Sequence, residues 1–125
     1  MPVHPEDGRD PQALLPLTPA IFHIMLALGQ GEGHGYAIMR DIDALTGGHV
    51  RLGPGTLYRS IQRMVVEGLI QELDERPDPA ADDERRRYYQ LTAFGQRVAQ
   101  AEAQRLATLL KAAKARGFLE REGRA

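Results

Sequence analysis

Residues 53–68 read GPGTLYRSIQRMVVEG, and this stretch has the features of a short helix with two unlike faces. Pro54 suits a first helical position, because its missing N–H would be unpaired there in any case. Gly68 can take the left-handed conformation that ends many helices. Apolar residues recur between them at steps of three and four, which predicts one buried stripe. The stripe consists of Leu57, Ile61, Met64 and Val65.

The opposite face of this helix is polar and centred on Arg59, if successive residues are about 100° apart around the axis. Its side chains are of the types that contact DNA phosphates and base edges. They are Thr56, Tyr58, Arg59, Gln62 and Arg63. On this stretch alone, a DNA-reading helix and an ordinary solvated helix face are equally good interpretations, so the neighbouring segments must decide.

The composition is that of one globular domain with an additional element. The 125 residues are 42% hydrophobic and 26% charged, and the formal net charge of −1 does not by itself indicate a nucleic-acid partner. The absence of cysteine excludes disulfides, thiol catalysis and cysteine-ligated metals. No apolar run is long enough to span a bilayer, and the N-terminus lacks a signal-peptide pattern. We therefore expect a soluble cytoplasmic protein.

Two helices are predicted before residue 53. Residues 1–16 contain four of the eight prolines, and they are predicted to form a flexible arm. Thr18 and Pro19 then mark a helix start. Its apolar stripe is Ile21, Ile24, Met25 and Leu28. A second helix is predicted to run to about Thr46, with Tyr36, Met39, Ile42 and Leu45 as its apolar positions.

A hairpin is predicted after Gly68. Residues 69–73 and 85–91 have strand character, and a polar segment containing proline separates them. Three helices followed by a hairpin is the order of a winged helix-turn-helix domain. We therefore predict a mainly α (α+β) fold, with the winged-helix domain covering residues 17–91.

A last helix is predicted over residues 92–116, with Thr92 as its N-cap. It is too long to be covered entirely by so small a domain, so its apolar side is predicted to pair with a second copy of the chain. Folding back onto the first helix is the alternative for part of this side. The predicted interface is Phe94, Val98, Ala101, Leu106, Leu109, Leu110 and Ala113. Residues 117–125 are predicted to be a disordered tail.

The charges near the hairpin divide into a basic and an acidic group. Arg85, Arg86 and Arg87 form a basic cluster that suits DNA phosphates, whereas residues 74–84 are strongly acidic. Either the acidic tip points away from DNA or its carboxylates pair with these arginines. The acids lack the spacing of a calcium loop, and no nucleophile or base is organised around the histidines. We expect no metal, no cofactor and no enzymatic activity.

Four segments of the chain resemble the PadR family of bacterial transcriptional regulators. They are residues 34–36 (HGY), 53–58 (GPGTLY), 67–70 (EGLI) and 86–92 (RRYYQLT) followed by Gly95. The resemblance implies a homodimeric winged-helix repressor whose third helix, from Gly55 onward, enters the major groove. It further implies that Tyr36, Arg86, Arg87 and Tyr89 contact the DNA backbone, and that a small aromatic or other molecule acts as inducer.

Two functions remain open from the sequence. The first is a dimeric repressor that binds a near-palindromic double-stranded operator. The second is a winged-helix module that binds a basic protein through its acidic wing. The arginines of the third helix and of the wing favour the first function.

Overall fold

A computed structural model of the chain describes residues 8–73 and 87–120. In order, these residues form α1 (Pro19–Leu28), β1 (Gly33–His34), α2 (Gly35–Leu45), α3 (Pro54–Val66), β2 (Ile70–Glu72), β3 (Tyr88–Leu91) and α4 (Ala93–Ala115). Three helices, a hairpin and a long helix follow one another as predicted. The α+β winged helix-turn-helix fold is therefore confirmed.

The core lies where the first three helices meet the sheet and the first turns of α4. All four predicted apolar residues of α1 are buried, as are Leu57, Ile61 and Met64 of α3. Val65, the fourth residue of the predicted α3 stripe, is partly exposed. In α2 the buried large side chains are Ile38 and Ile42, whereas Tyr36 and Leu45 are exposed. The apolar face predicted for α2 was therefore rotated about the helix axis relative to the buried face, because Tyr36 was taken as a core residue.

The sheet contains a strand that the sequence did not predict. Gly33 and His34 pair antiparallel with Tyr89 and Tyr88 of β3, so β3 lies in the middle of a three-stranded sheet. On its other side, Ile70 of β2 pairs with Leu91. A strand of two residues leaves no pattern in the sequence, because it is too short to show the alternation of apolar and polar side chains.

Thr92 joins the end of the α3 segment to the beginning of α4. Its hydroxyl donates a hydrogen bond to the Gly68 carbonyl and accepts one from the Gly95 N–H, and its own N–H donates to the Leu69 carbonyl at 3.1 Å. Gly95 allows this contact, because a Cβ at residue 95 would stand 2.9 Å from the Leu69 carbonyl carbon and nearer still to its oxygen. The start of α4 and the segment that follows α3 therefore meet backbone to backbone.

Both terminal segments have local structure in the parts that the structure describes. Residues 11–14, within the predicted arm, form a short 3-10 helix that contacts α4. Before it, the Arg9 guanidinium lies 3.7 Å from the centre of the Phe94 ring and donates to the Glu67 carbonyl at 2.8 Å. At the other end, Gly117 takes a positive φ and the Phe118 N–H bonds the Ala113 carbonyl, which closes α4 with a Schellman motif.

Candidate nucleic-acid interface

The outward face of α3 carries the side chains that were predicted to read DNA. Burial of its apolar stripe turns Thr56, Arg59, Gln62 and Arg63 away from the core, and all four are exposed. Arg59 lies along the first turn, where its Nη2 donates to the Thr56 hydroxyl at 3.5 Å. These side chains are therefore available together on one helix face.

The N-terminus of α3 is open to a ligand. Its N-cap is Gly53, which has no side chain to bond the first amide groups, and Pro54 follows at the first helical position. Gly55, the next residue, is exposed. Unpaired N–H groups and the helix dipole together favour a phosphate at such an end. This end of the helix could therefore accept a phosphate beside the polar face.

Tyr58 does not belong to the exposed part of this face. It is half-buried, and its hydroxyl is buried against Gly35 at the start of α2. A Cβ at residue 35 would overlap the Tyr58 ring, so glycine is needed for α2 and α3 to approach each other. Tyr58 therefore packs between α2 and α3 and holds the two helices together, whereas a DNA contact was predicted for it.

Tyr36 is the exposed residue at the start of α2. The His34 side chain caps this helix, because its Nδ1 accepts the Ala37 N–H at 3.1 Å. Tyr36 follows Gly35 and is 53% exposed, with the Arg40 guanidinium 5.5 Å from the centre of its ring. An exposed aromatic hydroxyl beside a cation suits the backbone contact that the family resemblance implies.

The described part of the hairpin brings Arg87 to this surface. Tyr89 is only 5% exposed and packs in the core, so little of its side chain is available for the predicted DNA contact. Side chains alternate along a strand, and it is Tyr88 that faces the other way, edge-on to the His34 ring at 5.2 Å. Arg87 is partly exposed, with its Nε 3.7 Å from Glu72 Oε2. Arg85, Arg86 and the acidic segment of residues 74–84 lie outside the described residues.

An open groove runs between α3 and the hairpin, with a volume of about 1040 Å³. It brings the predicted helix contacts together with the described part of the wing. Its charged and polar lining includes Arg59, Gln62, Arg63, Glu67, Glu72 and Arg87, and the tyrosines Tyr58 and Tyr89 also line it. Val66, which is exposed on the same helix face as Arg59, contributes an apolar surface. Acids are thus interspersed with the arginines at the hairpin end of α3.

The predicted dimer face divides into a buried and an exposed part. Phe94 and Val98 are fully buried in the domain's own core, so they offer no surface to a second copy, contrary to the prediction. The residues further along α4 are half-buried or exposed. These are Ala101, Leu106, Leu109, Leu110 and Ala113. The exposed fraction of Leu109 is 54%, which is high for a leucine on an apolar helix face.

Glu102 is a buried acid in this helix that the sequence analysis did not single out. Only 2% of its surface is exposed, and it accepts hydrogen bonds from Arg105 Nε at 2.6 Å and from the Leu17 N–H at 3.2 Å. The Arg105 hydrogen bond lowers the pKa of Glu102 below its usual 4.5, although burial acts in the opposite direction. The sequence signal for this ion pair is the spacing, because an arginine three residues after an acid lies beside it on a helix.

Residues 8–73 and 87–120 contain no group of three or more histidine or acidic side chains that could hold a metal ion. None of the helices in this part of the chain has the length and apolar character to cross a bilayer.

Comparison with known proteins identifies relatives of the chain. The Transcriptional regulator PadR-like family matches residues 24–101. An uncharacterized 37.1 kDa protein of transposon Tn4556 from Streptomyces fradiae is 36% identical over 86 residues. That match covers 69% of this chain but only 22% of the relative's length.

Solved structures show the same fold at low sequence identity. A PadR family transcription regulator from Clostridium difficile has a TM-score of 0.64 at 22% identity, covering 78% of this chain and 97% of its own. A transcriptional regulator from Clostridium thermocellum gives 0.64 at 22% identity, covering 77% and 87% of the two chains. RosR of H. salinarum gives 0.57 at 26% identity, covering 78% of each.

The family match extends from the middle of α1 into α4, across the α3 helix and the hairpin whose geometry is described above. Its members are transcriptional regulators rather than enzymes, in agreement with the expectation for this chain. The chain belongs to the PadR-like family of transcriptional regulators.

Proposed function

We propose that the chain is a homodimeric repressor that binds a near-palindromic DNA operator in the cytoplasm. The observation that carries this proposal is the outward face of α3, where Arg59, Gln62 and Arg63 are exposed together beside an uncapped helix N-terminus. Such a face combines donors for base edges with a site for phosphate.

Base reading is assigned to the middle of α3. Arg59 and Gln62 are the types of side chain that bind guanine and adenine in a bidentate manner, and each good pair contributes about 1–3 kcal/mol of discrimination. Thr56 and the Gly55 amide are assigned to the neighbouring phosphates. Arg63 serves the DNA backbone, together with the wing arginines.

Dimerisation is assigned to the second half of α4. The 23 residues of this helix extend about 35 Å, and the leucines at 106, 109 and 110 lie beyond the part that its own domain covers. An open groove of about 470 Å³ lies between α1, β3 and the first half of α4, ahead of these leucines along the helix. Its apolar lining includes Phe22, Met25, Leu26, Leu91, Ala99 and Ala103.

We assign this α1–α4 groove to the α4 helix of a second copy. Two-fold pairing would set the two α3 helices about 34 Å apart, which is one turn of DNA. The volume of the groove is also within the range of small-molecule sites. An inducer that enters it would compete with the partner helix, and this competition gives a route to release from DNA.

The test begins with selection of a preferred duplex from a randomised pool. Binding is then measured by fluorescence anisotropy across a salt series, for the selected duplex and for a scrambled one. Arg59→Ala should weaken binding to the selected duplex by about tenfold or more, and to the scrambled duplex much less. Lys111→Ala, which removes an exposed cation of α4, is the matched control.

Two results would count against this function. Equal losses on both duplexes would make Arg59 a phosphate contact only. The absence of any salt-dependent binding would favour the alternative in which the acidic wing binds a basic protein.

A further inference from the structure

Two ion pairs lie in the groove between α3 and the hairpin. Arg63 Nε is 3.4 Å from Glu67 Oε2, one helical turn further along, and Arg87 Nε is 3.7 Å from Glu72 Oε2 across the hairpin. All four side chains line the groove. Each arginine that the described structure offers at the hairpin end of this surface therefore has a carboxylate beside it.

These pairs add little to the stability of the fold. The side chains of Arg63 and Arg87 are 65% and 43% exposed, and solvated ion pairs contribute little because water screens them. Their effect on a DNA phosphate is different. A carboxylate within 4 Å of a guanidinium cancels much of its attraction for another anion and itself repels that anion.

Arg59 contrasts with these two arginines. Within the described part of the chain, its guanidinium bonds the Thr56 hydroxyl, which carries no charge. The interface is thus divided along its length. The middle of α3 keeps a cation able to bind bases, whereas the cations at the hairpin end are partly neutralised within the chain.

We propose that Glu67 and Glu72 act as internal counter-ions that restrain binding to non-specific DNA. This inference rests on the proposed DNA-binding function. Non-specific binding depends almost entirely on contacts between cations and phosphates, so neutralising two cations weakens it directly. Binding to the operator depends in addition on base contacts from Arg59 and Gln62, which these carboxylates do not touch.

The effect should be selective because of register. On random DNA the protein can settle wherever an unpaired arginine meets a phosphate. On the operator, base contacts fix the position of α3, so an arginine freed from its carboxylate gains a phosphate only if one already lies within its reach. Removal of the carboxylates should therefore raise the affinity for random DNA more than the affinity for the operator.

The experiment uses Glu67→Gln, Glu72→Gln and the double variant in the full-length chain. Each keeps the size and polarity of the side chain and removes its charge. Glu120→Gln, at the exposed end of the chain beyond α4, makes the same change in net charge away from the groove and is the control. Binding to the selected and scrambled duplexes is measured as a function of salt, and thermal unfolding verifies that the variants fold.

We expect each groove variant to bind the scrambled duplex about fivefold more tightly than the wild type, the upper range for breaking an exposed ion pair. The slope of log K against log salt should become steeper by about 0.9 for each arginine that gains a phosphate. The affinity for the selected duplex should rise less. Glu120→Gln should change the affinity for either duplex only slightly, through the change in net charge.

Three results would overturn the inference. Scrambled-duplex affinities equal to that of Glu120→Gln would show that the carboxylates do not restrain binding. An equal gain on both duplexes would remove the selectivity. Weaker binding of the selected duplex would show that Glu67 and Glu72 orient the arginines for contact with DNA. In each case the wild type still binds its selected duplex, so the proposed function would stand; a wild type that binds no duplex would refute both.

Discussion

Replacement of Gly95 by alanine tests the backbone contact between the start of α4 and Leu69. Two effects oppose each other. Alanine is a better helix former than glycine by about 1 kcal/mol. The new methyl group, however, would stand 2.9 Å from the Leu69 carbonyl carbon, where about 3.5 Å or more is needed, and the obstacle is backbone that cannot rotate away.

The contact should dominate. Forcing an extra group into a filled site costs about 1–3 kcal/mol, and a site walled by backbone belongs at the upper end. Subtracting the helix-propensity gain leaves a net loss of about 2 kcal/mol in the free energy of unfolding. For a chain of this size we expect the melting temperature to fall by about 8 °C.

Gly55→Ala is the matched control for this experiment. It makes the same change in the first turn of α3, where the nearest atom to a Cβ would be the flexible Arg59 guanidinium at 3.4 Å. We expect it to be neutral or to stabilise the protein by about 0.5 kcal/mol. Both variants are melted by circular dichroism at one protein concentration, because dimerisation would make the midpoint depend on concentration. A Gly95→Ala variant as stable as the wild type would refute the packing argument.

Two further predictions concern α4. The folded-state pKa of Glu102 is lowered, so its contribution to stability is present above pH 4.5 and is lost as the pH falls below it. The stability deficit of Glu102→Gln should therefore be largest near pH 7 and shrink towards pH 3, whereas a deficit that does not vary with pH would contradict the linkage. Leu106→Glu with Leu109→Glu should give monomers by light scattering. Thr108→Glu, on the opposite side of the helix, should not, and a double variant that remains dimeric would exclude this face.

The helices were the most predictable part of the fold, because their ends carry local signals. Thr18, Pro54 and Thr92 each mark a helix start that the structure contains. The threonine hydroxyls accept an N–H of the first turn, and Pro54 lacks the N–H that a first turn leaves unpaired. The long-range pairing of Gly33 with Tyr89 had no such signal. The two residues lie far apart in the chain, and β1 is too short to show a pattern.

The candidate site was predictable in its outward helix face but not in its supporting contacts. The positions of Arg59, Gln62 and Arg63 follow from the period of α3, since its buried stripe determines what faces away. Tyr58 and Tyr89 are amphipathic side chains that suit either a surface or a core. Which of the two they occupy depends on a close approach to Gly35 and on the register of β3, and neither can be derived from periodicity.

The Thr92 junction has a mechanical consequence for a dimer of this kind. Because its hydroxyl and amide bind the Gly68 and Leu69 carbonyls directly after α3, the long helix cannot tilt without carrying the end of α3 with it. A helix of 23 residues acts here as a lever of about 35 Å, so a tilt of about 5° at one end displaces the other by about 3 Å. That is close to the rise of one base pair. A slight change in how two such levers cross would therefore put the two α3 helices out of step with the DNA repeat.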